Sequence, residues 1–365
     1  MPIKIKKKRK AASETSAKVA AAPSPSASPA LAVSNTNKTL PENPEHPTGT
    51  QHHTSNNAPK PFIDRISIVA EPEGLVSGKE ILKQLDAFTT TPVHLAQAKP
   101  WKEFKRAYRI APQKLIAVKT KWPLILFKVV DDVVQKVRIE FCPVDISGSE
   151  MLHLDSVLRS FLPNGWWFFA ARGKVTMIEV AVDLPLIETA FVNPLPQQTT
   201  TMKTWGTGGT LETIYLGKGK GNFTRIYDRG VKRKAKGQVG VEYHGTRVER
   251  VLRLNGSLAV KDLVKLPNPF AGLAFVELPS APPPTEKKQY IWQMFCDTVS
   301  VRGLPAALKL LPVEKRTAYR KWLAAHPERW WSPEDIWTHW TNTVTVDGLD
   351  DPDFWLPLPE EIDAS

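Results

Sequence analysis

The chain of 365 residues is long enough to bury one large core or two smaller ones, and its formal net charge of +12 points to an acidic partner, nucleic acid foremost. Its two cysteines, Cys142 and Cys296, form no Cys-x-x-Cys pair, which argues against a disulfide scaffold and a cysteine zinc site and fits a reducing cytoplasm. No apolar run approaches the roughly 20 residues that cross a bilayer, so no membrane partner is expected.

Residues 1–60 begin with a basic run at 4–10 and continue in Ala, Ser, Pro and Asn, with no apolar stretch of the secretory kind. Such a composition cannot bury enough surface to offset ordering entropy, and it predicts a disordered tail with lysines available to phosphates. From about residue 62 the pattern changes. Residues 65–70 alternate as a strand; residues 114–118, 123–130 and 136–141 are β-like runs, with Asp131-Asp132 as a turn between the last two. Residues 147–162 set Met151, Leu154, Val157, Leu158 and Phe161 at helical spacing, and Pro163-Asn-Gly165 stops the helix. Residues 175–184 return to β character, followed by runs around Tyr215 and Tyr227 and a last one at 239–254.

This order predicts an α+β domain over residues 61–275, a largely antiparallel sheet with helices on one face and the other face free to hold DNA. Residues 276–286 are Pro-rich and read as a linker, 287–345 as a helical domain, and 346–365 as an acidic tail. The helices fall at 290–301, 306–311 and 313–325, and one more opens with Ser332 as N-cap and Pro333 in the first position. Trp322, Trp330, Trp331, Trp337 and Trp340 lie among basic residues here; at helical spacing they read as core.

Tyr215-Leu-Gly-Lys-Gly-Lys-Gly221 leads, after Asn-Phe-Thr, into Arg225-Ile-Tyr227-Asp-Arg229. Glycines at 217, 219 and 221 let backbone approach a phosphate, while Lys218, Lys220, Arg225 and Arg229 supply positive charge. Glu179 and Asp183 share a face of their strand because side chains alternate with period two, and Glu249 lies in a later strand. Converging, the three would form an oxygen-ligand site for Mg²⁺ or Mn²⁺; the plainer reading is a solvated strand face. Of the two tyrosines, Tyr227 is the better nucleophile, because Arg225 shares its strand face and would clamp a phosphate while lowering the phenol pKa. The run Lys232-Arg233-Lys234-Ala-Lys236 would track a DNA backbone, with Arg247 a further contact.

Tyr215-Leu-Gly217, Arg225-Ile-Tyr227-Asp-Arg229, Met177-Ile-Glu179-Val-Ala-Val-Asp183 and Arg247-Val-Glu249 together resemble the signature of the rolling-circle replication initiation factor family. That pattern is Tyr-x-Gly-Ser and then Arg-x-Tyr-(Asp/Glu/Asn)-Lys, preceded by Arg-x-Asp-x-x-x-Asp and followed by Arg-x-Glu. The resemblance covers residues 62–255 and is specific from 176 to 253. It implies a plasmid or phage replication initiator, an enzyme that nicks one origin strand through a tyrosine, forming a 5′-phosphotyrosyl link and a 3′-hydroxyl primer, with relaxases as relatives. It assigns Glu179, Asp183 and Glu249 as metal ligands and DNA as partner, single- and double-stranded; the C-terminal helices are expected to bind the origin duplex or a host helicase, or to pair two subunits. The chain departs from the pattern in its Gly-Lys turn, in Met177 and Glu179, and in Arg229, which keeps the charge but not a lysine's proton-donor chemistry. The alternative is a non-enzymatic DNA- or RNA-binding protein using a basic sheet surface.

Overall fold

The computed structural model describes residues 58–90, 94–113, 122–195, 202–207, 210–218, 220–235 and 245–349. The tail up to residue 57, the strand expected at 114–118, Gly219, Lys236 and the tail from residue 350 lie outside the described residues. In chain order the elements are β1 (Pro61–Ala70), α1 (Gly74–Thr89), β2 (Leu95–Gln97), β3 (Arg106–Ile110), β4 (Leu124–Val130), β5 (Val133–Phe141), α2 (Gly148–Arg159), α3 (Trp167–Arg172) and β6 (Lys174–Pro185). After these come β7 (Met202–Thr207), β8 (Thr210–Gly217), β9 (Phe223–Asp228), α4 (Arg229–Ala235) and β10 (Gly245–Ala259). The chain continues through α5 (Gln289–Arg302), α6 (Leu304–Leu310), α7 (Val313–Ala324), α8 (Pro333–Trp337) and α9 (Trp340–Asp347). No helix among the described residues is long and apolar enough to cross a membrane.

Among the described residues the fold is α+β, built on one sheet of ten strands in the order β2-β3-β4-β5-β1-β6-β10-β9-β8-β7. All neighbours pair antiparallel. Asp131 and Asp132 both take positive φ, 49° and 56°, the paired left-handed geometry that joins β4 to β5 in a tight hairpin. The Ser147 hydroxyl accepts from Glu150 N and opens α2 as an N-cap.

Three helices escaped the sequence pattern. In α1 only Ile81, Leu82 and Leu85 are large buried apolars, while Leu75 and Val76 are 72% and 84% exposed, which blurs the stripe. The short α3 carries buried Phe168, Phe169 and Ala170, too few turns for a period to register. In α4 the basic run itself is helical, over Arg229–Ala235.

Alternation divides the central strands cleanly. Ile63, Ile66, Ile178, Val180, Val182, Val248 and Ile226 join the main core, as do Ile81 and Leu85 of α1 and Leu154 and Leu158 of α2. Directly paired residues share a side, so Glu179, Ala181 and Asp183 of β6 face the same way as Arg247 and Glu249 of β10 and Arg225 and Tyr227 of β9. This second side is polar, and α4 lies over part of it, with Lys232 Nζ 3.8 Å from the Tyr227 ring centre.

The C-terminal helices divide between two cores. Trp331, Ile336, Trp340 and Val344 join the sheet's core, and Thr343 Oγ1 donates to Pro61 O at 2.7 Å. Trp292, Phe295, Leu308, Tyr319 and Leu323 form a separate cluster with Leu195 and Val276. Ser332 caps α8 by accepting from Asp335 N, as its sequence predicts.

An antiparallel bridge at Val276 and Pro327 holds the segment after β10 to the segment after α7, with Glu328 N donating to Phe275 O and Glu277 N to His326 O, both at 3.0 Å. Burial, and then the charge of Glu277, push the Glu328 carboxyl up to about 7. An acid whose folded pKa is raised favours the folded state below its unfolded pKa, and that stability is lost as pH rises through the folded value. Thermal unfolding should therefore show a falling Tm for the wild type between about pH 5 and about pH 8, and a smaller fall for Glu328→Gln, a difference of about 1 kcal/mol after allowing for partial exposure. Parallel profiles for the two proteins would contradict this.

Candidate functional site

Strands β1, β6, β10 and β9 lie side by side, and their polar side carries a compact cluster of ions. Arg225 is its hub. Its Nη2 donates to Glu179 Oε2 at 2.7 Å, and its Nε stands 2.7 Å from Glu249 Oε2 as an ion pair. The second contact lacks hydrogen-bond alignment, so Arg225 Nε and Glu249 Oε2 are both buried without a hydrogen bond. Glu249 is 0% exposed and its other oxygen accepts the hydroxyl of Tyr227. Each carboxylate on this face thus has at least one contact to a cation or a donor, the minimum for burying charge at all.

Asp64 completes the cluster, and the sequence reading missed it. In an uninterrupted β1 it would point with Ile66 into the core. A bulge between Ile63 and Arg65 inserts one residue against β6, which lets both polar residues leave the core side while Ile63 and Ile66 stay in it. Two adjacent polar residues interrupting an isoleucine alternation are the available signal. Carboxylate oxygens of Asp64, Glu179 and Glu249 all lie within 4.8 Å of one another.

Asp183 is on the expected face but is not in this group. Arg247 grips it with two bonds, Nε to Oδ1 at 2.6 Å and Nη2 to Oδ2 at 2.9 Å, and Arg229 donates to Oδ2 as well. The third arm of Arg247, Nη1, reaches Asp64 Oδ1 at 2.7 Å. Asp183 therefore positions Arg247, which in turn orients Asp64, and the expectation of Asp183 as part of the converging trio gives way to Asp64. Arg247, expected at the DNA surface, is 6% exposed and stacks over Phe62.

The effect of Arg225 on Tyr227 also differs from expectation. Burial, then the charge of Glu249 and the hydrogen bond to it, drive the phenol well above the usual tyrosine range, and Arg247 opposes this only in part. Arg225 spends its charge on the two glutamates. Burial works against that charge, yet Glu249 and Glu179 hold the guanidinium above its ordinary value. Burial likewise raises Glu179 despite Arg225 and Arg65.

Tyr215 sits opposite Arg225 in the β8 pairing, on the same face but one strand farther from β10. Lys218 and Lys220 are exposed in the turn between β8 and β9, which Gly217 enters at φ 103°, a backbone conformation that strains any L side chain, with Asn222 O and Phe223 close enough to be crowded by a Cβ. Lys232 Nζ is 3.8 Å from Glu249 Oε1. Arg233 and Lys234 continue α4, and their side chains lie outside what is described, as does Lys236.

The donors fit a hard cation. Ligands of an octahedral Mg²⁺ at about 2.1 Å stand about 3.0 Å apart when adjacent and about 4.2 Å when opposite, so the trio would have to draw in to hold the ion, and the all-oxygen set suits Mg²⁺ or Mn²⁺. Glu249 Oε2, buried without a hydrogen bond, is the atom such an ion would satisfy. No protein-family model and no curated protein matches the chain.

Arg225→Ala would leave Glu179 and Glu249 buried without their shared counter-charge, at a cost of about 3–5 kcal/mol. In metal-free buffer its Tm should drop sharply, and millimolar Mg²⁺ should recover more of it than it adds to the wild type. Asp64→Asn should weaken the Mg²⁺ response more than Asp183→Asn, which acts only through Arg247. An Arg225→Ala protein indifferent to Mg²⁺ would contradict a cation site.

Proposed function

We propose that the protein is a metal-assisted DNA-nicking and joining enzyme, a rolling-circle replication initiator of plasmid or phage type, with Tyr227 as its nucleophile. One observation carries this reading: a tyrosine hydroxyl from β9, hydrogen-bonded to Glu249 of β10, stands beside carboxylates from β6 and β1. Phosphodiester cleavage by a phenol needs a proton acceptor on the nucleophile, positive charge around the phosphorus, and usually a divalent ion.

Tyr227 rests protonated. As its oxygen attacks phosphorus, the phenol proton passes along the existing hydrogen bond to Glu249 Oε1, the bond from phosphorus to the 3′ oxygen breaks, and that oxygen gains a proton from solvent. The products are a 5′-phosphotyrosyl link and a free 3′-hydroxyl, and reversal of the same path rejoins the strand. Mg²⁺ or Mn²⁺, when bound by Asp64, Glu179 and Glu249, would supply positive charge to a non-bridging oxygen. Lys232, whose ammonium lies over the Tyr227 ring, is placed to meet the phosphate that the tyrosine acquires. Arg225 serves first as counter-charge to Glu179 and Glu249. Asp183, Arg247 and Arg229 hold the frame.

The reading as a cationic polynucleotide binder has less to recommend it, because Asp64, Glu179, Asp183 and Glu249 place four carboxylates among the basic residues of this face. Lys218 and Lys220 would still serve as backbone contacts.

Incubation with a supercoiled plasmid carrying the protein's own origin, in Mg²⁺, should yield nicked circles that retain protein after detergent. Tyr227→Phe should lower nicking by at least about 10³-fold and Asp64→Asn by about 10²-fold, while Tyr215→Phe stays within a few-fold of wild type. Unimpaired nicking by Tyr227→Phe would remove the proposed nucleophile; nicking by neither wild type nor variants would favour the binder.

A further inference from the structure

A second feature of the same sheet face lies away from the carboxylates. Residues 99–106, Lys99-Pro-Trp101-Lys102-Glu-Phe104-Lys105-Arg106, interleave aromatic and basic residues between β2 and β3. Trp101 and Phe104 form an isolated antiparallel bridge, with Trp101 N to Phe104 O at 3.1 Å and Phe104 N to Trp101 O at 3.0 Å. Lys102, inside this tight turn, takes φ 52°, a left-handed conformation unusual for a lysine. Phe104 is buried with Ala107 and Leu126 and pins the turn to the sheet.

The consequence is a tryptophan held out from the surface. Trp101 is 43% exposed although it is among the largest apolar side chains in the protein. The Arg138 guanidinium lies 4.7 Å from its ring centre and the Lys102 ammonium 4.3 Å. Arg138 is mostly buried and fixed to Glu140 at 3.2 Å, so it backs the ring, whereas Lys102 is exposed and free to move aside. Glu103, the acid in the turn, is neutralised by Lys128 at 3.0 Å.

A string of contacts links this turn to the carboxylates. Arg138 meets Glu140, and Glu140 meets Arg65 at 3.7 Å. Arg65 interacts with Glu179, and Glu179 binds Arg225. Arg138 pairs with Val69 and Glu179 with Arg65 across β1, and strand spacing and rise put Arg138 roughly 16 Å from Glu179 on one face. That separation matches a few nucleotides of an extended strand.

We infer that Trp101 is a stacking platform for an unpaired base of single-stranded DNA, on a strand that runs across the polar face of the sheet toward Tyr227. The base replaces the Lys102 ammonium on the ring, and Lys102, with Lys99 and Lys105, takes up the flanking phosphates. The identity of the polymer rests on the nicking reading; the stacking itself does not.

The test is binding of a fluorescein-labelled dodecathymidylate to the full chain, by anisotropy in metal-free buffer so that no cleavage intervenes, with a mixed-sequence duplex as the second probe. Trp101→Ala should weaken single-strand binding about tenfold and leave duplex binding within twofold, and Trp101→Phe should restore most of the loss. The idea is overturned if Trp101→Ala binds the dodecathymidylate like wild type, or if Trp101→Ala and Trp101→Phe weaken both probes alike. Because no nicking is read, a protein that proves unable to nick would still give a Trp101-dependent or Trp101-independent answer.

Discussion

Arg225 is the constraint on which the polar face depends. Two glutamates from neighbouring strands are buried within reach of each other, and burying such a pair calls for a counter-charge between them. Arg225 supplies it from the third strand, contacting both. The arrangement leaves Glu249 with one oxygen on the Tyr227 hydroxyl and the other buried without a hydrogen bond. A divalent ion at the proposed site would answer the same electrostatic need, so the arginine and the ion would compete for one position.

The cluster owes its location to the topology. Because β1 enters the sheet between β5 and β6, the first described strand is brought next to a strand more than a hundred residues later, β6, and Asp64 reaches the site from there. The bulge at Asp64 and the Arg247 bridge between Asp64 and Asp183 are the two devices that set the third carboxylate. On the core side of the same strands, Ile63, Ile66, Val180 and Val248 anchor the register that keeps these polar residues opposite one another.

Much of this was legible in the letters. Period-two alternation put Glu179 and Asp183 on one face, and the same parity put Arg225 beside Tyr227; the antiparallel α+β fold followed from the order of β-like runs. Asp64 left only one trace, the adjacent polar pair that breaks an isoleucine alternation, because a bulge changes parity by one and no local residue type demands it. The partition of Asp183 away from the cluster was equally hidden, since it depends on which of several arginines reaches it across strands. The expected lowering of the Tyr227 phenol failed for a physical reason: proximity to Arg225 counts for little when the arginine is already committed to two carboxylates and the hydroxyl is buried against one of them, Glu249. The helix α1 was missed because much of its apolar surface faces outward.

The proposed chemistry needs a cation held by Asp64, Glu179 and Glu249 beside Tyr227. Anomalous diffraction from crystals soaked in Mn²⁺ locates such an ion. A single strong peak bounded by oxygens of these three residues is expected, with Arg225 turned away from Glu249. A peak at Asp183 instead, or none while Arg225 keeps its place between the two glutamates, would contradict it.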